Sequence, residues 1–430
     1  MNFSEEADFG KPGEIGFTPT PFIPLNFSLG GGLGKGRWIE IVGAEGLGKT
    51  TLTIQIASFI LHIIPNSYLL LLDAEHALDL SSDRTLRLFY QDEVELYFAD
   101  KKMVKNANGT IEMQDVKKGK NAKNEDGVIK FNGVERGLVR RPETYQDIER
   151  FFKMFSNHCK TNGVYGILVW DSLVSSTTEV MLSEGSERIA YRATAIQGLI
   201  EKYNSTFLKI PITQLVINQL RANISTGGLF ASKKGEGDMG RADYNVPGGM
   251  AHKFFSYQAL EMSSKVSKWS YPTTNPIIEG KITRIIPKKN KLGMPQREVF
   301  MVLVYEMGYS TILSVLEAMK DAKVLEGKKV GLTNIKLPGE EKGYRFEALC
   351  DKLVSDASFL ERFTNFVYDF YMSQFNSFMY SRNLEKEIVK ESIILDAKRF
   401  SLFFPQKTNK MQNVNQIQSD EPEDLDEFDV

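Results

Sequence analysis

The stretch GAEGLGKT, Gly43 to Thr50, fits the pattern G-x-x-x-x-G-K-[ST], and nothing else in this 430-residue chain constrains its fold as tightly. The apolar run RWIEIVG precedes it directly, and KTTLTIQIASFILHII, of helical length and spacing, follows. A strand, a glycine loop and a helix in that order aim successive backbone N–H groups, and the positive end of the helix, at an anion. Gly43, Gly46 and Gly48 permit the tight turn. Lys49 is expected on the β- and γ-phosphates of ATP and Thr50 on Mg²⁺, with Glu45 and Thr51 completing the loop's nucleotide-contacting positions. An earlier run, LGGGLGKGR (29–37), lacks Lys-Ser/Thr and comes before a strand, so it reads as a turn.

The rest of the chain continues the alternation. SYLLLLD (67–73), YGILVWD (165–171) and ITQLVIN (212–218) are Leu-rich or β-branched strands without polar interruption, separated by helical segments. That pattern predicts an α/β fold with a mostly parallel sheet covered by helices on both faces. Residues 1–24 read as an N-terminal arm, 25–310 as the core, 311–405 as a small α-rich C-terminal domain and 406–430 as a disordered acidic tail. SDEPEDLDEFDV carries seven carboxylates and no basic residue. It suits either a polyanion that competes with DNA for basic grooves or a solubility tail. Residues 101–141 form a basic insertion with eleven Lys/Arg against five Asp/Glu and two Asn-Gly turns, at 108–109 and 132–133. A DNA-guiding surface and a solvated hairpin fit it equally. Residues 222–249 are Gly-rich and polar, the composition of a mobile loop.

Composition excludes several classes. Two cysteines cannot build a disulfide framework or a Cys-rich metal site. The most apolar stretch, Thr51 to Leu72, is broken by Pro65 and Asn66, so no membrane span is expected, and the polar, acidic start argues for a cytoplasmic protein. A net charge of -2 leaves room for DNA as a partner only if basic and acidic residues are segregated, as they are here.

Two polar positions at strand ends complete the chemistry. Asp171 closes its strand where a P-loop fold needs a carboxylate for Mg²⁺, although the same place suits a helix cap. The segment DAEHALD (73–79) sets four ionisable side chains where a buried strand surfaces. Asp73 is expected to brace the turn, and His76 to be a packed turn residue rather than a metal ligand. Glu75 is expected to project toward the phosphate loop on the adjacent strand, close enough to orient a water.

Together, GAEGLGKT, DAEHALD, LVWDSL (168–173), INQLR (217–221), GGMAHKFF (248–255) and PKKNKLGMP (287–295) resemble the RecA recombinase family in kind and order, over roughly residues 25–310. The resemblance implies a RecA-like P-loop ATPase that forms helical filaments on single-stranded DNA, pairs it with homologous duplex and exchanges strands. It implies a DNA-dependent ATPase in which Glu75 activates the attacking water and Gln219 senses the γ-phosphate, with Lys49 in the catalytic set. Asp79 becomes an adenine contact, and Lys289 and Lys291 reach the next protomer's ATP. Without the resemblance, PKKNKLG reads better as a solvated hairpin turn. Segments 175–190 and 222–247 become DNA-facing loops, with Arg192, Arg221, Lys233, Lys234 and Arg241 as DNA contacts. Lys253 and Phe254 match a protomer interface. A single-stranded-DNA-binding protein or a loading mediator is a natural further partner.

Three departures stand out: the family's N-terminal helical domain is missing, the 101–141 insertion has no counterpart, and Ser82 replaces a tyrosine beside the adenine. Compact size and an unusual insertion suit a phage-encoded homologue in an infected bacterial cell. Two other readings share the core: a hexameric helicase or branch-migration motor, and a nucleotide-dependent DNA-binding scaffold without strand exchange.

Overall fold

Strands buried on both faces need alternate side chains to feed two separate cores, and Leu69 to Leu72 show this plainly. Leu69 and Leu71 join one apolar cluster, and Leu70 and Leu72 join another on the opposite face. The computed structural model describes residues 16–78, 82–98, 101–115, 127–177, 189–219, 221–222, 244–245, 254–272, 276–325, 334–337, 339–375 and 384–419.

The chain opens with β1 (Phe17–Thr18), the fully buried α1 (Ile23–Leu29) and β2 (Leu33–Gly34), which pairs antiparallel with β1. The glycine run before β3 (Trp38–Gly43) holds the two-residue strand β2 between two turns. Gly30 closes α1 in the left-handed region, and a Cβ on Gly32 would lie 2.6 Å from the Thr18 carbonyl oxygen. Next come α2 (Lys49–Ile63), β4 (Ser67–Asp73) and the short α3 (Asp83–Arg87). The insertion supplies β6 (Lys101–Lys105), β7 (Ile111–Asp115), β8 (Gly127–Phe131) and β9 (Val134–Arg140), after β5 (Val94–Phe98). Then follow α4 (Tyr145–Asn162), β10 (Tyr165–Asp171), α5 (Ile189–Lys209), β11 (Ile212–Gln219) and a ribbon of β12 (Arg221–Ala222) with β13 (Tyr244–Asn245). The long strands β14 (Gln258–Tyr271) and β15 (Ile278–Asn290), with β16 (Val299–Val304) and β17 (Gly308–Ser310), finish the sheet. Helices α6 (Thr311–Asp321), α7 (Phe346–Ser355), α8 (Ala357–Phe375) and α9 (Lys386–Ser419) end the described chain.

Thirteen strands form one sheet in the order β17-β16-β15-β14-β3-β11-β10-β4-β9-β8-β5-β6-β7. The six from β14 to β9 are parallel, and both wings are antiparallel. Helix α2 covers one face with Leu52, Ile54, Ile56 and Ile60, and α4 and α5 cover the other with Ile148, Phe152, Leu199 and Phe207. The insertion is therefore part of the sheet: β9 adds in parallel to β4, and the rest extends the edge. Its Asn132-Gly133 turn has both residues at positive φ (49° and 78°), as a two-residue hairpin requires.

A third apolar cluster joins α6 to α9 with α1, Phe59, Tyr271 and Val302. Within it Asp396, only 1% exposed, accepts hydrogen bonds from Ser310 Oγ (2.7 Å) and Ile312 N (3.0 Å) and pairs with Arg399 at 3.2 Å. Burial pushes the Asp396 carboxyl upward, and the Arg399 guanidinium opposes that. Asp396→Ala would leave Arg399 buried without its counter-charge and should reduce unfolding free energy by about 3–5 kcal/mol. Urea unfolding at pH 7 measures this; a loss below about 1 kcal/mol would mean that solvent reaches the pair.

Candidate nucleotide site

Strands β3, β11, β10 and β4 finish at one edge of the sheet, and the polar residues collect there. Gly43 ends β3 level with Gln219 of β11 and Met262 of β14, while Asp171 ends β10 level with Asp73 of β4. The loop crest, Ala44 to Gly46, is exposed. Gly48 takes φ 83° at the N-cap of α2, where a Cβ would lie 2.9 Å from Leu303 Cδ2. A side chain there meets both backbone strain and a steric clash.

Lys49 is buried, and its ammonium donates to the carbonyls of Gly43 (3.0 Å) and Ala44 (2.8 Å). Burial pulls its pKa below the ordinary lysine value, against the attraction of Asp171, Glu75 and Glu45. An anion in the loop would relieve that desolvation. Thr50 donates its hydroxyl to Asp171 Oδ2, and Thr51 is buried behind it. Burial raises Asp171 to about 7, with the negative charges of Glu75 and Asp73 adding to the effect. A hydroxyl and a carboxylate left short of positive charge suit Mg²⁺, which takes few protein oxygens and completes its shell with phosphate and water. Among the described residues no group of three or more His, Cys, Asp or Glu could hold a metal by itself.

Sheet order corrects one expectation about Glu75. β11 and β10 stand between β3 and β4, so neither Glu75 nor Asp171 lies on a strand adjacent to the phosphate loop. Glu75 reaches the shared edge because its turn folds back over β10, with Ala74 N and Glu75 N both donating to the Asp171 carbonyl (2.6 and 3.2 Å). There Glu75 Oε1 accepts from Gln219 Nε2 (2.7 Å), Ser172 Oγ (2.5 Å) and Ser175 Oγ (3.3 Å). Asp73 braces the same turn from below, accepting from Ala77 N (3.1 Å), Leu78 N (3.3 Å) and Arg141 Nε (3.1 Å). His76 is exposed at φ 52°, a turn residue.

Lys289 and Lys291 are not brought to this chain's own loop. Lys289 pairs through Ala259 with Glu40, three residues before Gly43 and so about 10 Å down the sheet. Its ammonium donates to Phe254 O (3.2 Å), and Lys291 lies over the Tyr257 ring. Phe254 itself is 70% exposed. Arg192 lies on α5 close enough to Tyr145 to influence it electrostatically. Arg221 sits in the ribbon that closes the base of the 222–249 loop. Asp79, Lys233, Lys234, Arg241 and Lys253 fall outside the described residues.

Four contributors escaped the sequence reading. Lys281 donates to the Gly46 carbonyl from β15, with its pKa lowered by burial and by Arg84. Ser172 and Ser175 hold Glu75, and Tyr309 donates its buried hydroxyl to Leu47 O (2.7 Å) beneath the loop. Lys281 and Tyr309 arrive through strand register more than 200 residues downstream, so no local pattern marks them. For Ser172 the only signal was its place directly after Asp171, and Ser175 entered only as the first residue of the 175–190 segment.

Comparison with known proteins points to one family. The family model for the RecA N-terminal domain matches residues 11–99. Protein RecA of Geobacter metallireducens is 25% identical over 323 residues, covering 74% of this chain and 76% of its own. Protein RecA of Borrelia hermsii is 26% identical over 328 residues, covering 73% and 74%. Protein RecA of Mycoplasma mobile is 24% identical over 312 residues, covering 72% and 74%.

The support under the loop is open to a direct test. Tyr309→Phe removes the donor to Leu47 O and should cost about 1–2 kcal/mol of unfolding free energy, read by urea titration. A change of only a few tenths would mean that the hydroxyl contact adds nothing to the loop's support.

Proposed function

We propose that this RecA-family chain is a DNA-dependent ATPase that assembles as a filament on single-stranded DNA and exchanges strands with homologous duplex. The observation that carries the reading is the hydrogen bond from Gln219 to Glu75 at the edge beside the phosphate loop. It ties a carboxylate able to orient water to an amide two residues before the ribbon that closes the 222–249 loop. A γ-phosphate would offer Gln219 a competing acceptor, and its departure would free Glu75 to take a proton from water. Nucleotide state would thus reset the backbone leading into the proposed DNA loop, where Arg221, Lys233, Lys234 and Arg241 would meet phosphates. Arg192, near the start of α5, would contribute beside the second DNA-facing segment, 175–190.

Lys49 and the loop amides would hold the β- and γ-phosphates, with Gly43, Glu45, Gly46, Gly48 and Thr51 shaping the cradle, and Asp79 would contact the base. Thr50 and Asp171 would hold Mg²⁺, which neutralises charge on the phosphates when bound. Lys289 and Lys291, placed well below their own loop, are proposed to act on the neighbouring protomer's nucleotide, with Phe254 packing at the same junction. Assembly would then depend on ATP because the nucleotide is shared between subunits. No helix among the described residues is long and apolar enough to cross a membrane.

The test is ATP turnover with and without single-stranded DNA. Stimulation of at least tenfold, together with open helical filaments in electron micrographs and joint-molecule formation with homologous duplex, is expected. Closed rings or turnover indifferent to DNA would sink the reading. In Glu75→Gln, nucleotide binding should persist while turnover falls by about 10²-fold or more, the usual scale for losing a positioned base. Near-normal turnover would move that role to another carboxylate. Lys49→Ala should abolish ATP-dependent assembly, and filaments formed as before would remove the loop assignment.

A further inference from the structure

The inserted hairpin does more than widen the sheet, because its β6–β7 turn meets the C-terminal helix α9 at a small cavity far from the phosphate loop in sequence. The cavity, about 50 Å³, is lined on one side by Lys105 and by Arg87 of α3, and on the other by Lys398 and Arg399. Tyr90 and Phe403 supply apolar walls: Arg399 lies over the Tyr90 ring at 5.1 Å and Arg87 over the Phe403 ring at 5.5 Å. The volume is on the order of one or two water molecules, a space that one small ion fills.

Four cationic side chains and one carboxylate, Asp92, line the cavity. Arg399 shares Asp396 at 3.2 Å, but its Nε is buried without a hydrogen-bond partner among the described residues. Among the described residues the ion pair of Arg87 is a long contact of 3.8 Å to the half-exposed Asp83. Lys105 donates to the Phe89 carbonyl at 2.7 Å, and Asp92 is the acidic residue that attracts it.

We propose that Arg87, Lys105, Lys398 and Arg399 form a binding site for a single tetrahedral oxyanion of the phosphate or sulfate type, which clamps the inserted hairpin to the C-terminal helix. A buried guanidinium (Arg399), the partly buried Arg87 and Lys105 and the exposed Lys398, converging from three separate parts of the chain, are the chemistry that recognises such a group. Nothing in the nucleotide reading requires this site.

Its protonation gives the site a signature. Burial, with repulsion from Arg399 and Arg87 and against the attraction of Asp92, lowers Lys105 to about 7. Above that pH the amine is neutral while the cavity is empty. An arriving dianion favours the ammonium, so binding takes up a proton at pH 8 and tightens as pH falls toward 7. Sulfate and selenate stay fully ionised across this range, so the proton belongs to the protein.

The experiment uses the full chain. Crystals soaked in selenate should show an anomalous peak within hydrogen-bonding distance of Lys105 and Arg399. Calorimetric titration with sulfate at pH 8, in buffers of different ionisation heat, should show uptake of about one proton per anion. In Lys105→Met, which removes a buried charge and should still fold, the peak should vanish, affinity at this site should fall about tenfold or more, and proton uptake should cease. Selenate found only at the phosphate loop, or a peak that keeps its occupancy in Lys105→Met, would overturn the proposal, the second marking an adventitious ion. A short oligonucleotide that displaces selenate from the cavity would assign the oxyanion to a nucleic-acid backbone, and undisturbed selenate would assign it to a free anion.

Discussion

Parallel pairing of β3, β11, β10 and β4 decides where every polar group of the candidate site can stand. Parallel strands share a direction, so their last residues lie along one edge, and the buried runs before them are long enough to need both faces covered. Gly43, Gln219, Asp171 and Asp73 are those last residues. None of them is near another in sequence. The sheet alone turns four strand ends into one surface, and ligands in open α/β sheets bind at that edge.

Collecting carboxylates there has a price in desolvation, and the arrangement shows how it is met. Asp73 takes two turn amides and Arg141, so its charge is spread over three donors. Glu75 takes Gln219 and two serine hydroxyls, partners that orient it without neutralising it. Asp171 has the Thr50 hydroxyl and an elevated pKa. Buried charge with incomplete pairing is expensive in a fold and persists where a ligand completes it. That contrast separates the brace, Asp73, from the two carboxylates proposed to hold a cation and to orient a water.

The sequence made the central strands and the loop legible because both carry strong local signals: unbroken apolar runs and a glycine pattern set between a strand and a helix. SYLLLLD and YGILVWD became β4 and β10 with the boundaries read from the sequence. The antiparallel wings were less visible. β8 and β9 are short, with one face partly open, and their alternating pattern is weak over five to seven residues. Strand order was invisible, which is why Glu75 was expected beside the phosphate loop when two strands intervene. Lys281 could not be found for the same reason: its place over Gly46 depends on the register of β15 against β14, not on its neighbours in the chain.

The C-terminal helices bear on the loop through a chain of contacts. Asp396 and Arg399 of α9 grip the backbone of Met307 to Ile312. Gln55 of α2 holds Tyr309 from the other side, accepting from its N–H at 2.7 Å and donating to its carbonyl at 2.9 Å. The Tyr309 hydroxyl then meets Leu47 O and Thr283 under the glycine turn. Each partner is buried, so a shift of α9 cannot be absorbed by water and must be taken up by the next contact. The same Arg399 also lines the cavity against the inserted hairpin. One guanidinium therefore joins the inserted hairpin and the C-terminal helices to the glycine loop, and their stabilities should be coupled through it.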